Sequence, residues 1–329
     1  MSMGKRVLVC GAGSIGRRHI ANLLKLGAEV FVWRERSELL AEIARDFPVQ
    51  VCTNLSNAIS RAEAVVVATA TDQHVAIAAE ALKAGRALFI EKPLSHDWVG
   101  IDNLRSLVKG AVVEVGCQFR AHPNLIALAL KLGQSKHVNL LTYRLAMGHR
   151  LDAWRPDKEY QQGYSADSAR GGGALFDLIH QIDIALWLFG PAMGVQGVQA
   201  KLGDLNIKGD DVTNLLLTHI SGVTGHIQLD MASPVYRCEA EVMTSSALYR
   251  WSNDEGKLRR QSSEGETIVD CVPEGFNRND LFLTHMEHWL KRMDNPILQP
   301  LCAFDDGIAA LKVAIGARAA ALHGQMVKL

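Results

Sequence analysis

An α/β fold in two domains, the first a doubly wound parallel sheet, is predicted by three features of this 329-residue chain. Through the first third, short β-branched runs alternate with amphipathic stretches of helical period, an order that implies parallel strands joined by crossover helices. A glycine-rich turn stands between the first such strand and the first such helix. The length exceeds the roughly 250 residues at which one hydrophobic core stops growing, so a second domain is expected.

In order, the strands are RVLVC, EVFVW, VQVC, AVVVAT over 64–69, ALFI over 87–90 and VVEVG over 112–116, with IGRRHIANLLKLG and SELLAEIARDF among the helices between them. DQHVAIAAEALKAG has an Asp near its start and Gly85 just past its end, the expected punctuation of a helix. The sheet closes near residue 118, which divides the chain into a dinucleotide-binding domain over 1–118 and a substrate-binding and oligomerisation domain over 119–329. In the second domain VQGVQAKL, VTNLLLTHI, GHIQLDM, YRCEAEVMTS and ALYRWS read as strands of a meandering sheet. Two helices, near Leu281 to Arg292 and Asp305 to Leu322, complete the pattern.

Composition narrows the function. The chain is 48% hydrophobic and 21% charged, so it buries a sizeable core and is far from the composition of disorder. Lys+Arg and Asp+Glu both number 35, so no net field draws it to nucleic acid or an anionic membrane, and a small-molecule partner is expected. The six cysteines are scattered without a CxxC pair, which points away from zinc and disulfide frameworks and toward reduced thiols in the cytoplasm. Val7 to Cys10 is too short for a signal-peptide core, and no run approaches 18 apolar residues, so neither export nor a membrane span is expected.

Gly11, Gly13 and Gly16 spell GxGxxG at a strand-turn-helix junction, where backbone N–H groups and a helix N-terminus meet a pyrophosphate. Ser14 and Ile15 in the turn, and Thr69 at the end of AVVVAT, join them as expected cofactor-binding residues. The second strand then ends Trp33-Arg34-Glu35-Arg36-Ser37. Arg34 stands where an NAD-binding sheet usually carries an acid for the ribose hydroxyls, and Arg36 and Ser37 add a cation and a donor for a 2′-phosphate. NADP is therefore expected; NAD is the alternative if Glu35 turns inward.

ALFIEKPLSH puts Glu91, Lys92 and Pro93 at the carboxyl end of the fifth strand, where open α/β sheets bind ligands. GGGALFDLIHQID, residues 171–183, gathers three glycines, Asp177, His180 and Asp183 ahead of the apolar run Ile184 to Phe189. Leu178, Ile179, Ile182, Leu186 and Phe189 recur at helical spacing and would anchor one face of a single helix, leaving the polar residues at its mouth. The glycines would let backbone approach a substrate where a Cβ would collide. The bland alternative is that the His and Asp residues cap the helix and face water.

GAGSIGRRHI, ATATDQHVAIAAEALKAGRALFIEKP and GGGALFDLIHQID, in this order and at these separations, resemble the glucose-fructose oxidoreductase and inositol dehydrogenase (Gfo/Idh/MocA) family over essentially the whole chain. The resemblance implies an N-terminal Rossmann domain and a C-terminal α/β domain with an open, mostly antiparallel sheet. It also implies a nicotinamide cofactor, a sugar or cyclitol substrate, and catalytic roles for Lys92, Asp177 and His180. The family's common pattern spaces the Asp and His by four residues, whereas here they are three apart, a shift of about 100° around an ideal helix. Glu91 and Lys92 are carried over as cofactor-binding residues.

Such chemistry needs one proton carrier beside the hydride path, and histidine suits it because its unperturbed pKa lies near neutrality. His180 takes that role, with Asp177 or Asp183 orienting its ring and Lys92 holding the oxygen. Arg120, Trp154, Arg155 and Tyr164 join Lys92, Asp177 and His180 as expected substrate-binding residues. The last three of the newcomers lie in the polar stretch Met147 to Arg170, whose arginines (Arg150, Arg155, Arg170) and flat rings (Trp154, Tyr160, Tyr164) suit an anionic or nucleotide-linked sugar. The competing reading is a solvated loop with its arginines paired to Asp152, Asp157 and Asp167. A cyclitol or non-sugar carbonyl substrate and a cofactor-sensing regulator are the alternative functions. An open sheet with one exposed face favours a homodimer or homotetramer.

Overall fold

Residues 4–134, 139–157, 159–269 and 271–329 are described in the computed structural model. Lys158, in the polar stretch from Met147 to Arg170, lies outside the described residues. The chain forms two units. The first comprises residues up to Gln118 together with Asn277–Gly307; the second comprises Phe119–Phe276 with Ile308–Leu329.

In the first unit the strands β1 (Arg6–Cys10), β2 (Glu29–Trp33), β3 (Gln50–Cys52), β4 (Ala64–Val67), β5 (Ala87–Ile90) and β6 (Val113–Val115) alternate with helices. These are α1 (Ser14–Lys25), α2 (Leu40–Asp46), α3 (Leu55–Arg61), α4 (His74–Lys83) and α5 (Ile101–Leu107). All pairings are parallel in the order β3-β2-β1-β4-β5-β6, the doubly wound arrangement expected of the alternation. Val7 to Cys10 and Ala64 to Val67 are buried throughout because helices cover both faces of the sheet.

The single division at residue 118 leaves out a return of the chain. Helix α9 (Arg278–Asp294) belongs to the first unit, with Met286 and Trp289 in the same core cluster as Val9, Ile20 and Val66. Its register is fixed beneath the sheet edge by Glu114 of β6, which is fully buried. That carboxylate accepts from His285 Nε2 at 3.1 Å, Arg292 Nη1 at 2.8 Å and the Leu301 backbone N–H at 2.7 Å. Burial pushes the Glu114 carboxyl up, but His285, Arg292 and the Leu301 amide outweigh it and hold it below the ordinary range.

The second unit is built on a nine-stranded sheet. Its elements are α6 (Pro123–Gln134), β7 (Leu140–Gly148), α7 (Ala174–Asp177), α8 (His180–Phe189), β8 (Ala192–Ala200), β9 (Val212–His219), β10 (Thr224–Asp230), β11 (Arg237–Thr244), β12 (Leu248–Ser252), β13 (Lys257–Ser262) and β14 (Gly265–Ile268). Helix α10 (Phe304–His323), from Ile308 onward, and β15 (Val327–Lys328) complete it. The order is β14-β13-β12-β11-β7-β10-β9-β8-β15, antiparallel except for the β7–β10 pair. Strict alternation along β9 and β11 buries one face, including Leu215, Leu217, Ala240 and Val242. Helix α8 contacts the sheet at β7 and β10.

Candidate functional site

The glycine turn of the first unit needs each glycine for a different reason. Gly11 has φ +99°, and a Cβ there would lie 2.5 Å from the Ala68 carbonyl; a Cβ on Gly16 would lie 2.1 Å from the Gly11 carbonyl. Those two glycines seat α1 against the ends of β1 and β4. Gly13 instead faces open space, with nothing within 4 Å of a Cβ, and as N-cap of α1 it provides no side-chain cap. The exposed Ser14 follows, so the first N–H groups of α1 are left for a ligand, and the turn fits a pyrophosphate.

At the end of β2, Arg34 is half-buried while Glu35, Arg36 and Ser37 are exposed. Burial, then the neighbouring Arg36, lower the Arg34 guanidinium from its ordinary value. Glu35 accepts from Gln73 Nε2 at 2.6 Å. Thr69, just past β4, has its carbonyl 3.2 Å from His74 Nε2.

Glu91 and Lys92 follow β5, and the Lys92–Pro93 peptide is cis. Lys92 is half-buried. Glu91, only 4% exposed, is spent inside the protein rather than presented at the surface: its Oε1 is 2.7 Å from His19 Nε2 of α1. His74 of α4 hydrogen-bonds the Pro93 carbonyl through Nδ1 at 2.8 Å.

In the second unit the expected single helix is two. Helix α7 stops at Asp177 and α8 begins at His180, and the segment Ser168–Asp177 that leads in is bent by 51° from His180–Phe189. At the break the backbone tightens to i→i−3 bonds, Ile179 N–H to Phe176 O and Gln181 N–H to Leu178 O. Asp177 and His180 therefore do not share one helix axis, and the three-residue spacing no longer fixes their relative direction. Nor is there a wet polar mouth: Asp177, His180, Gln181 and Asp183 are all buried, and neither helix takes a side-chain cap. The capping alternative fails on the same observation.

The three glycines serve the loop's own backbone. Gly171 and Gly173 have φ of +83° and +95°. A Cβ on Gly172 would sit 2.2 Å from the Tyr164 carbonyl, and one on Gly173 would sit 2.4 Å from Asp210 Oδ1. What they would collide with is the protein's own Tyr164 and Ser165 backbone and Asp210. The close approach brings Tyr164 against α7, where its hydroxyl donates to Asp177 Oδ1, at the last residue of the helix, at 3.1 Å.

His180 packs edge to face on Phe119, with centroids 5.2 Å apart at 83°. The next residue, Arg120, grips Asp183 one helical turn beyond His180: Nη2 is 2.8 Å from Oδ1, and Nε is 3.1 Å from Oδ2. Arg120 is 6% exposed and Asp183 1%. Arg120, expected on substrate, is thus a buried ion-pair partner, and Asp183 is committed to it rather than to orienting the histidine alone.

The stretch from Met147 begins as the end of β7 and then winds through four 3₁₀ turns (Leu151–Trp154, Tyr160–Gln162, Tyr164–Ala166, Ser168–Arg170). Arg150 is paired with Asp152 at 3.0 Å and Asp204 at 2.7 Å, the first of these as the solvated-loop reading expects. Trp154 donates to the His149 carbonyl at 2.9 Å. Half-buried Arg155 makes no ion pair among the described residues.

Sequence reasoning missed His19 and the Arg120–Asp183 pair. A signal for the first was present: Gly16, His19, Ile20 and Leu23 fall on one helical face and are all buried, which marks His19 as an inward histidine. The second joins residues 63 apart in sequence, for which one sequence carries no signal.

Residues 5–135 match the profile described as "Oxidoreductase family, NAD-binding Rossmann fold", and residues 142–250 match the GFO/IDH/MocA C-terminal domain. The chain is 26% identical over 274 residues to inositol 2-dehydrogenase of Acidothermus cellulolyticus, covering 79% of this chain and 76% of the relative. Among solved structures, levoglucosan dehydrogenase in complex with NADH and L-sorbose superposes with a TM-score of 0.86 at 18% identity, covering 99% of both chains. UDP-N-acetylglucosamine 3-dehydrogenase from Acidithiobacillus ferrooxidans gives 0.80 at 20% identity, covering 97% of this chain and 98% of that one. At these identities the two structures show a shared fold.

Proposed function

The chain belongs to the Gfo/Idh/MocA family of oxidoreductases, and we propose that it moves a hydride between a nicotinamide cofactor and a secondary alcohol or ketone of a sugar derivative. The observation that carries this is the first unit's own construction: an uncapped helix N-terminus at Gly13, open for a pyrophosphate, on the same sheet that ends in Lys92. When bound, the nicotinamide supplies the hydride acceptor at its C4. Lys92 donates a hydrogen bond to the reacting oxygen and stabilises its developing charge. His180 takes the hydroxyl proton in oxidation and returns it in reduction. Asp177, held by the Tyr164 hydroxyl, supports the charged form of the site.

NADP is the proposed cofactor, supported by Arg34 with Arg36 beside it and by the engagement of Glu35 with Gln73. An anionic sugar is the proposed substrate class, because Arg155 is half-buried without an ion pair among the described residues while Trp154 and Tyr164 offer partly exposed rings in the same loop. A homodimer or homotetramer is supported by Val198, Leu216 and Met243, exposed on the outer face of the nine-stranded sheet. A reducing, cytoplasmic setting is part of the proposal, supported by six cysteines that form no disulfide among the described residues, five of them buried.

The test is a panel of neutral and anionic sugars and cyclitols assayed with NADP+ and NAD+. Lys92→Ala and His180→Ala are each expected to lower kcat about a hundredfold while cofactor affinity holds. Retention of most turnover by either variant removes that residue from the chemistry. Cofactor binding with no turnover of any compound would favour a sensor.

A further inference from the structure

We propose that His19 is a positioning residue for Lys92, tying the helix that receives the dinucleotide to the lysine that holds the reacting oxygen. The inference rests on the role of Lys92 given above. His19 lies on α1 about two turns past Gly13, 1% exposed, with its ring edge to face on Phe89 at 5.3 Å and on Phe282 at 6.3 Å. Its Nε2 is 2.7 Å from Glu91 Oε1. A carboxylate only accepts, so His19 donates.

Glu91 immediately precedes Lys92, and its other oxygen accepts from the Lys92 backbone N–H at 3.3 Å. On the far side, His74 Nδ1 holds the Pro93 carbonyl. Gly116 closes over the carboxylate: a Cβ there would lie 2.9 Å from Glu91 Cδ. Burial pushes the Glu91 carboxyl up, but the His19 hydrogen bond, with the charge of Lys92 nearby, outweighs it and holds the group below the ordinary range. The segment 91–93 is thus fixed at both ends by directional bonds, and one anchor comes from the pyrophosphate helix itself. Two apolar side chains would fill the same space without desolvating a charge, yet they would leave the backbone of Lys92 free to slide. The hydrogen-bonded pair specifies geometry, and geometry is what hydride transfer demands of Lys92.

The experiment compares His19→Leu, His19→Gln and the double variant H19L/E91M in thermal melting, NADPH fluorescence titration, and turnover of the best compound of the panel with the full-length chain. His19→Leu strands a buried carboxylate, so it melts lower and turns over slowly. H19L/E91M is expected to regain most of the lost melting temperature, because both polar partners are gone. It is nevertheless expected to keep a loss in kcat of about tenfold or more, with NADPH affinity within about threefold of the parent. His19→Gln, which retains an N–H donor for Glu91, is expected to keep kcat within about threefold. A double variant with parental kcat overturns the proposal and leaves the pair purely structural. If the double variant does not regain stability, His19→Leu and His19→Gln are compared at a temperature where both stay folded, and equal kcat values overturn it. Parental turnover by Lys92→Ala would defeat the assignment of Lys92 separately.

Discussion

Replacing Arg120 by Met removes the guanidinium from a buried, bidentate ion pair and leaves its carboxylate partner in place. The partners are 6% and 1% exposed, and three N–H···O contacts between 2.8 and 3.2 Å link them, so solvent screening is slight. Breaking such a pair from one side costs about 3–5 kcal/mol, most of it the penalty of an uncompensated buried charge. For a unit of this size each kcal/mol lowers the melting temperature by about 2–4 °C, so a drop on the order of 10 °C is expected. Differential scanning calorimetry of the parent, Arg120→Met, Asp183→Leu and the double variant checks it. The double variant should recover most of the loss, since two apolar groups replace two charges together. A fall of less than about 2 °C for Arg120→Met, or a double variant no better than the worse single one, would refute the account of Arg120 as the partner that makes Asp183 tolerable inside the protein. Because Phe119 packs on His180 from the same turn, Arg120→Met is also expected to lower kcat.

Gly172→Ala drives a Cβ to 2.2 Å from the Tyr164 carbonyl and 2.6 Å from that of Ser165, both backbone atoms, so a loss of about 3 kcal/mol is expected in urea titration. Parental stability would show that the 163–173 loop yields freely. Arg34→Ala should weaken NADPH binding at least about tenfold, roughly 1.4 kcal/mol, and leave NADH unchanged; an equal effect on both places Arg34 away from the 2′-phosphate. Glu114, whose folded carboxyl is held below its ordinary range, contributes stability that is fully present above the unfolded value of about 4.3 and is lost as pH falls through the lower folded value. Glu114→Gln should therefore be less stable near neutrality and show a flatter acid limb in melting temperature against pH; an unchanged limb assigns acid sensitivity to other groups.

Sequence by itself determined the first unit's sheet and the place of its ligand turn. Parallel strands covered on both faces leave continuous apolar runs, Val7 to Cys10 and Ala64 to Val67 among them, and the glycines of Gly11 to Gly16 are demanded by contacts with near neighbours. Such signals are local or periodic, and one chain is enough to read them. The strand-like runs of the second unit were legible for the same reason, through the two-residue alternation along β9 and β11.

Tertiary structure decided what depends on partners distant in the chain. That α9 returns to the first core follows from Trp289 meeting Phe89 and from His285 and Arg292 meeting Glu114, pairs that are all more than 150 residues apart. Helical periodicity carried Asp177 and His180 onto one ideal axis. The break between α7 and α8, at Leu178 and Ile179, appears only in the folded chain. Arg120 was expected on substrate and Glu91 was carried over with the family motif as cofactor-binding, but each has a buried partner, Asp183 and His19. A sequence records which side chains can carry charge; burial and pairing, which set whether that charge faces a ligand or the core, are properties of the folded chain.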